Sequence, residues 1–474
     1  MNIFKKHKLE LIAVILPILL FLAYKLSSPE HRFGDGNAYF YMADILLKGQ
    51  VPYRDFLIAD PPLLIYLLAP VRAIIGNNLE LFLALPPLVD AITALVLFLN
   101  LKKHRYKFAS LAPAIFLFSF LIISTSNYVT GLHIVLLLLN LALLFDKKPF
   151  LSGVFWGLAS MIKLYTAPGL LIYCGWLLYK KHYSALIRLL IGFALTCLLI
   201  LLPFLMLAPV QLIEQILLHQ FNRPPGISKL RVFTFFFVND LMLIILGVAG
   251  FIFSNKELVK KVFLFFLAWL IFYLVFKDLY YVYLGILAPW LTIGVIGLFE
   301  FIVIKWRQDD LGKKISISLI LLLFFSHLPA LNYYYQNIRL DGLFIQADEV
   351  AQYINSLEPG VPLYGSHEVA PLIALMTDRE LFNQYADTNA QVFGSGALDI
   401  KQVSKEAMEE GVFLLTKIAN LEINQQIDSG FEGYFDREIF DQYCQRLEII
   451  DGSKREVFTD VGVYWCRKND NNFL

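Results

Sequence analysis

The chain has 474 residues, 58% of them apolar and 17% charged, with a mean hydropathy of +0.62, where an average soluble domain is roughly 45–50% apolar and 25% charged. Those proportions exclude a soluble enzyme and a disordered chain, and a net charge of +1 from 40 Lys+Arg and 39 Asp+Glu excludes the basic footprint of a nucleic-acid binder. Long apolar runs recur from Leu9 to about Leu331, whereas Arg339 to Leu474 has ordinary soluble composition. The reading is a polytopic α-helical membrane domain over 1–338, with a first outer loop at 27–79, followed by an extracytoplasmic soluble α/β domain over 339–474.

In chain order, apolar segments long enough to approach the roughly 20 residues of a crossing helix fall at about 9–26, 80–100, 108–124, 128–145, 150–163, 164–180, 186–207, 232–253, 262–276, 279–301 and 315–331. That predicts about eleven transmembrane helices. The first keeps Tyr24 and Lys25 at its end with no small-residue cleavage site, so it reads as a retained anchor. Cytoplasmic loops carry excess Lys and Arg. With a cytoplasmic N-terminus (Lys5, Lys6, Lys8), every second loop is basic: Lys102, Lys103, Arg105 and Lys107; Lys147 and Lys148; Lys180, Lys181 and Arg188; Lys256, Lys260 and Lys261; Lys305, Arg307, Lys313 and Lys314. An odd number of spans in the plasma membrane then places 339–474 outside the cell. Cys444 and Cys466 both fall in that outer domain, where they would form a disulfide in an oxidising compartment or pack as two small thiols.

The most informative stretch is the first outer loop. From Asn37 to Lys48 the apolar positions Ala38, Tyr41, Met42, Ile45 and Leu46 follow helical spacing, which predicts a short amphipathic helix along the outer membrane surface with Asp44 and Lys48 on its exposed side. Asp35 precedes it between two glycines. Val51 to Pro62 returns through Arg54, Asp55 and Asp60 to the Pro61–Pro62 pair. A second surface helix is predicted at about 211–221, with Leu212, Ile213, Ile216 and Leu217 as its apolar face, ahead of Arg223, the Pro224–Pro225 pair and Lys229.

An acidic residue soon after the first span, a surface helix ending at Gly49, then ValProTyrArgAspPhe (51–56) and AspProProLeu (60–63) before an apolar run together resemble the first loop of the GT-C glycosyltransferases, in particular the branch that includes protein O-mannosyltransferases and lipid A aminoarabinose transferases. AlaSerMetIleLysLeuTyrThrAlaPro (159–168), AsnArgProProGly (222–226) and LysAspLeuTyrTyrValTyrLeuGlyIleLeuAlaProTrp (277–290) are similar to the same plan, over about 1–331. Two positions depart from it: Gly36 follows Asp35 where many members carry a second acid, and Asp60 stands where aminoarabinose transferases have Lys before the proline. Both departures bear on the identity of the donor.

The resemblance implies transfer of a hexose, mannose-like, from a polyprenyl-phosphate donor to a lipid, glycan or protein acceptor at the outer face. Attack by an acceptor hydroxyl needs a base, which a carboxylate can supply; Asp35 is the candidate, inverting the anomeric centre, with Asp60 assisting. The alternative for each is a turn residue or a helix cap. The leaving phosphate gains charge and needs cations. Lys163 is the sharpest, since a lysine in a span is costly, although it stands close enough to the outer end to snorkel; Arg223, Lys229 and Lys277 are further candidates, with contact to lipid headgroups as the plain alternative. Tyr39, Arg54, Asp55 and Tyr281 are candidate lining residues, Arg54 and Asp55 reading equally as a solvated ion pair and Tyr281 as part of an aromatic belt. His31, His133, His219, His327 and His367 show no paired metal-binding spacing, and a carboxylate-bound divalent cation remains open. GlyValPheTrpGly (153–157) reads as a helix-packing motif. The reading from another class is a lipid or solute transporter without transferase activity.

Overall fold

The computed structural model describes residues 2–27, 30–305, 310–338, 342–419, 433–452 and 459–468. Arg307 and the start of the predicted outer domain at 339–341 lie outside them. The chain divides into two compact units, one of Met1–Pro29, Ala84–Ile200 and Pro225–Arg339, the other of Glu30–Leu83, Leu201–Pro224 and Leu340–Leu474. The second unit therefore groups the first outer loop and the segment around 201–224 with the C-terminal part of the chain.

Every predicted apolar segment contains helix. Among the described residues, five helices are long and apolar enough to cross a membrane: Lys8–Leu26, Leu79–Lys103, Tyr183–Leu207, Glu257–Val275 and Tyr281–Lys305. A sixth arises if Lys229–Asn239 and Leu241–Phe253, bent by 87° at their junction, make one span. Predicted segment 315–331 lies within the 24-residue helix Asp310–Tyr333; the remaining predicted segments are shorter or broken. Predicted segment 108–124 is two short helices, Ala112–Leu117 and Phe120–Thr125, and 150–180 is Pro149–Ser160 and Ala167–Tyr179 with a break between.

Close helix contact in the first unit is set by glycine. A Cβ on Gly250 would lie 1.7 Å from the carbonyl oxygen of Gly294, and one on Gly294 would lie 2.4 Å from that of Gly247, so Leu241–Phe253 and Ala288–Lys305 meet backbone to backbone. Gly153 meets the Leu189 carbonyl and Gly192 that of Phe150 in the same way, which is the packing role expected of the 153–157 motif. Trp156, Trp269 and Trp290 stack in series in the core, with ring centroids 6.4 and 5.7 Å apart. Several buried charged groups of the first unit have defined partners. Asp146 holds Lys103 at 2.7 Å and Lys261 at 3.0 Å, Asp90 accepts from His133 at 2.8 Å, and the Asp240 carboxylate, at the 87° bend, accepts from the backbone N–H groups of Phe120 and Leu121 at 2.9 Å each. Asp240 thus closes the first turn of the helix Phe120–Thr125, whose N-terminal N–H groups have no partner of their own.

The second unit contains a four-stranded sheet of β1 (Leu363–Gly365), β2 (Val412–Ala419), β3 (Cys444–Ile450) and β4 (Thr459–Cys466), in the order β1-β2-β4-β3. β1 runs parallel to β2, and the other pairings are antiparallel. Cys444 and Cys466 are direct cross-strand partners and are joined by a disulfide. Tyr364, Leu414 and Tyr464 on one face of the sheet share a core with Val403, Ala407 and Met408 of the helix Ile400–Glu410 and with Ile439 and Phe440 of the helix Arg437–Tyr443.

Two expectations for the loops need correction. The helix Gly36–Leu47 forms where predicted, but Asn37 to Ile45 are all buried, because the helices Leu63–Ile75 and Ala370–Thr377 pack on it. Asp44, expected to be exposed, is 8% accessible and bonded to Arg72 at 2.8 Å as well as to Lys48 at 3.1 Å. In 209–222, Leu212 and Ile216 are buried while Ile213 and Leu217, expected on the same face, are exposed. His219 takes their place on the buried side.

Candidate functional site

The site is built where three distant parts of the sequence meet inside the second unit. The chain enters through an isolated antiparallel bridge between Arg32 and Leu343, with Phe33 stacked on Phe344 at 4.4 Å. Asp35 follows as the residue that opens the helix Gly36–Leu47; its side chain does not cap that helix. Instead Asp35 Oδ1 lies 3.2 Å from Nε2 of His367, with Asp35 48% exposed and His367 17% exposed. Two residues on, Asn37 donates to the carbonyls of Arg32 at 2.8 Å and Glu368 at 2.7 Å.

His367 reaches Asp35 because of the way β1 ends. Gly365 has φ +144°, and a Cβ there would stand 2.0 Å from the Leu415 carbonyl of β2, so only glycine lets the strand turn out at that point. Ser366 N–H then bonds to Leu415 O at 2.9 Å, and the Ser366 carbonyl accepts from Val369 and Ala370, starting the helix Ala370–Thr377. Glu368 is held by Lys417 of β2 at 2.7 Å. Burial pulls the His367 pKa down, but its bond to Asp35 and the negative charges of Asp35, Glu368 and Asp387 outweigh it and raise it to about 9. The imidazole is therefore a cation at neutral pH.

Asp60 lies at the end of the return segment and is 7% exposed. Tyr39 Oη donates to its Oδ2 at 2.7 Å, and Tyr53 Oη donates to its backbone carbonyl at 2.9 Å. Burial, together with the charges of Asp60, Asp35 and Asp387, pushes the Tyr39 phenol well above its usual range, so it stays a donor. Asp387, in the stretch after Tyr385, is raised by burial and by the charges of Asp35 and Asp60, against His367 and Arg223, which lower it. On the 201–224 side, Gln215 accepts from Ile58 N–H at 3.0 Å and Gln220 donates to Ala59 O at 2.8 Å, pinning the return segment. Arg223 Nε lies 3.1 Å from His219 Nε2, and His219 Nδ1 lies 2.6 Å from Ser395 Oγ. Burial and then Arg223 lower the His219 pKa to about 4, which keeps it neutral.

The arrangement thus gathers three carboxylates, Asp35, Asp60 and Asp387, with one imidazolium, one guanidinium and a buried phenol. Arg54 and Asp55 stand apart from that network as a bidentate pair of neighbours at 2.8 Å, both exposed. The remaining predicted residues belong to the first unit. Lys163 stands in the break between Pro149–Ser160 and Ala167–Tyr179, in extended conformation. Lys229 opens the helix Lys229–Asn239 and donates to the Leu274 carbonyl at 2.6 Å. Lys277 is exposed, and its carbonyl accepts from Gly226 N–H at 3.2 Å. Tyr281 packs on Phe235 at 4.7 Å. Among the described residues, no three His, Cys, Asp or Glu side chains converge as a metal site.

His367, Asp387, His219 and Ser395 carry no signal in the sequence. His367 is 332 positions from Asp35 and His219 is 176 from Ser395, so no local spacing relates them.

No family model and no curated protein sequence matches the chain. Among solved structures it is similar to ArnT from Cupriavidus metallidurans bound to undecaprenyl phosphate, at 12% identity over 96% of this chain and 97% of that one, with a TM-score of 0.59. It is also similar to the same protein in the apo state, at 12% identity over 98% of each chain and a TM-score of 0.57. The likeness runs the full length of both chains and is one of fold. The GT-C resemblance seen in the first loop, with its aminoarabinose transferase branch, is met at that level. With its apolar helices, the chain is a multi-pass membrane protein.

Proposed function

We propose that this multi-pass chain of ArnT-like fold is a membrane glycosyltransferase that moves a hexose, mannose-like, from a polyprenyl-phosphate donor to an acceptor hydroxyl at the outer membrane face. The single observation that carries the reading is Asp35: a half-exposed carboxylate at the head of the first-loop helix, beside two further carboxylates, in a chain whose fold matches a protein solved with undecaprenyl phosphate. The acceptor O–H bond breaks as its proton passes to Asp35. The acceptor oxygen bonds to the anomeric carbon from the face opposite the leaving group, and the bond from that carbon to the phosphate oxygen breaks with its electron pair on the phosphate, which inverts the centre. Asp60, held by Tyr39, fits a role in orienting sugar or acceptor hydroxyls. Arg223, Lys163, Lys277 and Lys229 are the candidate partners for the donor phosphate, Lys229 also donating to the Leu274 carbonyl. A cytoplasmic N-terminus and an extracytoplasmic C-terminal part follow from the charge pattern of the loops.

Release of polyprenyl phosphate from a panel of polyprenyl-phosphate hexoses by the purified protein in lipid tests the reading, with cell-envelope extract as acceptor. Asp35→Asn is expected to lower release by about 10²–10⁴-fold, the usual contribution of a general base, with donor binding kept. Release that ignores the substitution removes Asp35 as base. Absence of release from every donor overturns the transferase reading in favour of transport, for which lipid or solute flux is the assay.

A further inference from the structure

The C-terminal segment is more than a cover over the first loop. Asp35 is gripped by the turn that leaves β1: its Oδ1 faces His367 Nε2 at 3.2 Å, and Asn37, two residues later, is tied to the carbonyl of Glu368 at 2.7 Å. That turn is rigid, fixed at one end by Gly365 and the Ser366–Leu415 bond of the sheet and at the other by the start of the helix Ala370–Thr377, with Glu368 locked to Lys417. The Asp35 side chain does not cap its own helix; the imidazole carried by this turn bonds to one of its oxygens and so contributes to setting the direction of the carboxylate.

We propose that His367 is a positioning residue for Asp35, so that the C-terminal segment completes the site by orienting its base. This rests on the transferase reading above. The groups that face His367 are Asp35, Glu368 and Asp387, all acidic, with Lys417 engaged by Glu368. They keep the imidazole charged up to about pH 9. As a cation, His367 holds Asp35 ionised and ready to accept a proton, and cannot itself serve as the base. The sign follows: a raised imidazole pKa makes the pair complete below the ordinary value near 6.5 and lost as pH rises through about 9.

Two measurements on the full chain in lipid decide it. In the release assay, the wild type is expected to lose turnover as pH passes about 9, whereas His367→Gln, which keeps an N–H donor without the charge, shows about a tenfold lower kcat, an unchanged donor KM and no inflection there. Equal kcat and an identical pH profile in the variant would overturn the proposal, as would a change confined to KM. The second readout needs no activity: selective ¹⁵N-histidine NMR, with the His367 signal identified by its loss in His367→Gln. Its midpoint is expected near 9 in the wild type and to fall by about two units or more in Asp35→Asn. A midpoint unmoved by that substitution overturns the pair. If the wild type releases nothing while the midpoint shifts as expected, the pair stands and the transferase reading, with the catalytic role of His367, falls; release with an unmoved midpoint has the opposite meaning.

Discussion

Asp240 in the first unit and Asp35 in the second stand at helix starts and are treated oppositely. Asp240 is 1% exposed and both its oxygens accept backbone N–H groups; Asp35 does not cap its own helix, is 48% exposed, and meets a histidine from a remote segment. The first is consumed by architecture, since a buried N–H without a partner is costly. The second is half-exposed beside a charged neighbour and is the carboxylate proposed above as the base. The same contrast separates the two units as wholes. In the first, glycines bring helices together and Asp146 and Asp240 serve packing contacts; in the second, three carboxylates collect around Tyr39, His367 and Arg223.

Substitutions can break that contrast. The largest effect is expected at Gly250, where any side chain meets the Gly294 carbonyl at 1.7 Å: Gly250→Val should prevent accumulation of folded, monodisperse protein, as size-exclusion chromatography in detergent would show. A normal profile would mean that the two helices separate freely. Next comes Asp240→Ala, which leaves two buried N–H groups unmet and should cost about 3 kcal/mol, read as a lower midpoint of unfolding; Asp35→Asn in the same experiment should leave the midpoint near that of wild type. Equal losses at the two positions would erase the distinction between a structural and a chemical carboxylate. The smallest effect is expected at Arg54→Gln. The Arg54–Asp55 pair joins neighbours exposed to solvent, so both the unfolding midpoint and polyprenyl phosphate release should stay unchanged. A large fall in release would bring the pair into the site.

Much of the fold was readable along the chain, because apolar run length and the spacing of loop charges are local properties. Every predicted apolar segment contains helix, several of them broken. What failed was also local in origin. The first-loop helix has an amphipathic pattern that implies one wet face, but the helix Ala370–Thr377, more than 300 positions away, covers it, and Asp44 finds Arg72 instead of water. β3 alternates too weakly to be seen, being exposed along much of its length.

For the site, the sequence by itself determined the carboxylates of the first loop and the candidate cations, since turn chemistry and resemblance mark Asp35 and Asp60 where they stand. Tertiary structure alone decided which of them have company. Contacts cluster the first loop and residues 201–224 with the C-terminal segment, and this brings His367, Asp387 and His219 to the two aspartates. The physical reason is that hydrogen bonds and charge act over a few ångströms in space: the turn after β1, shaped by Gly365 against Leu415, carries an imidazole to a carboxylate 332 positions earlier in the chain.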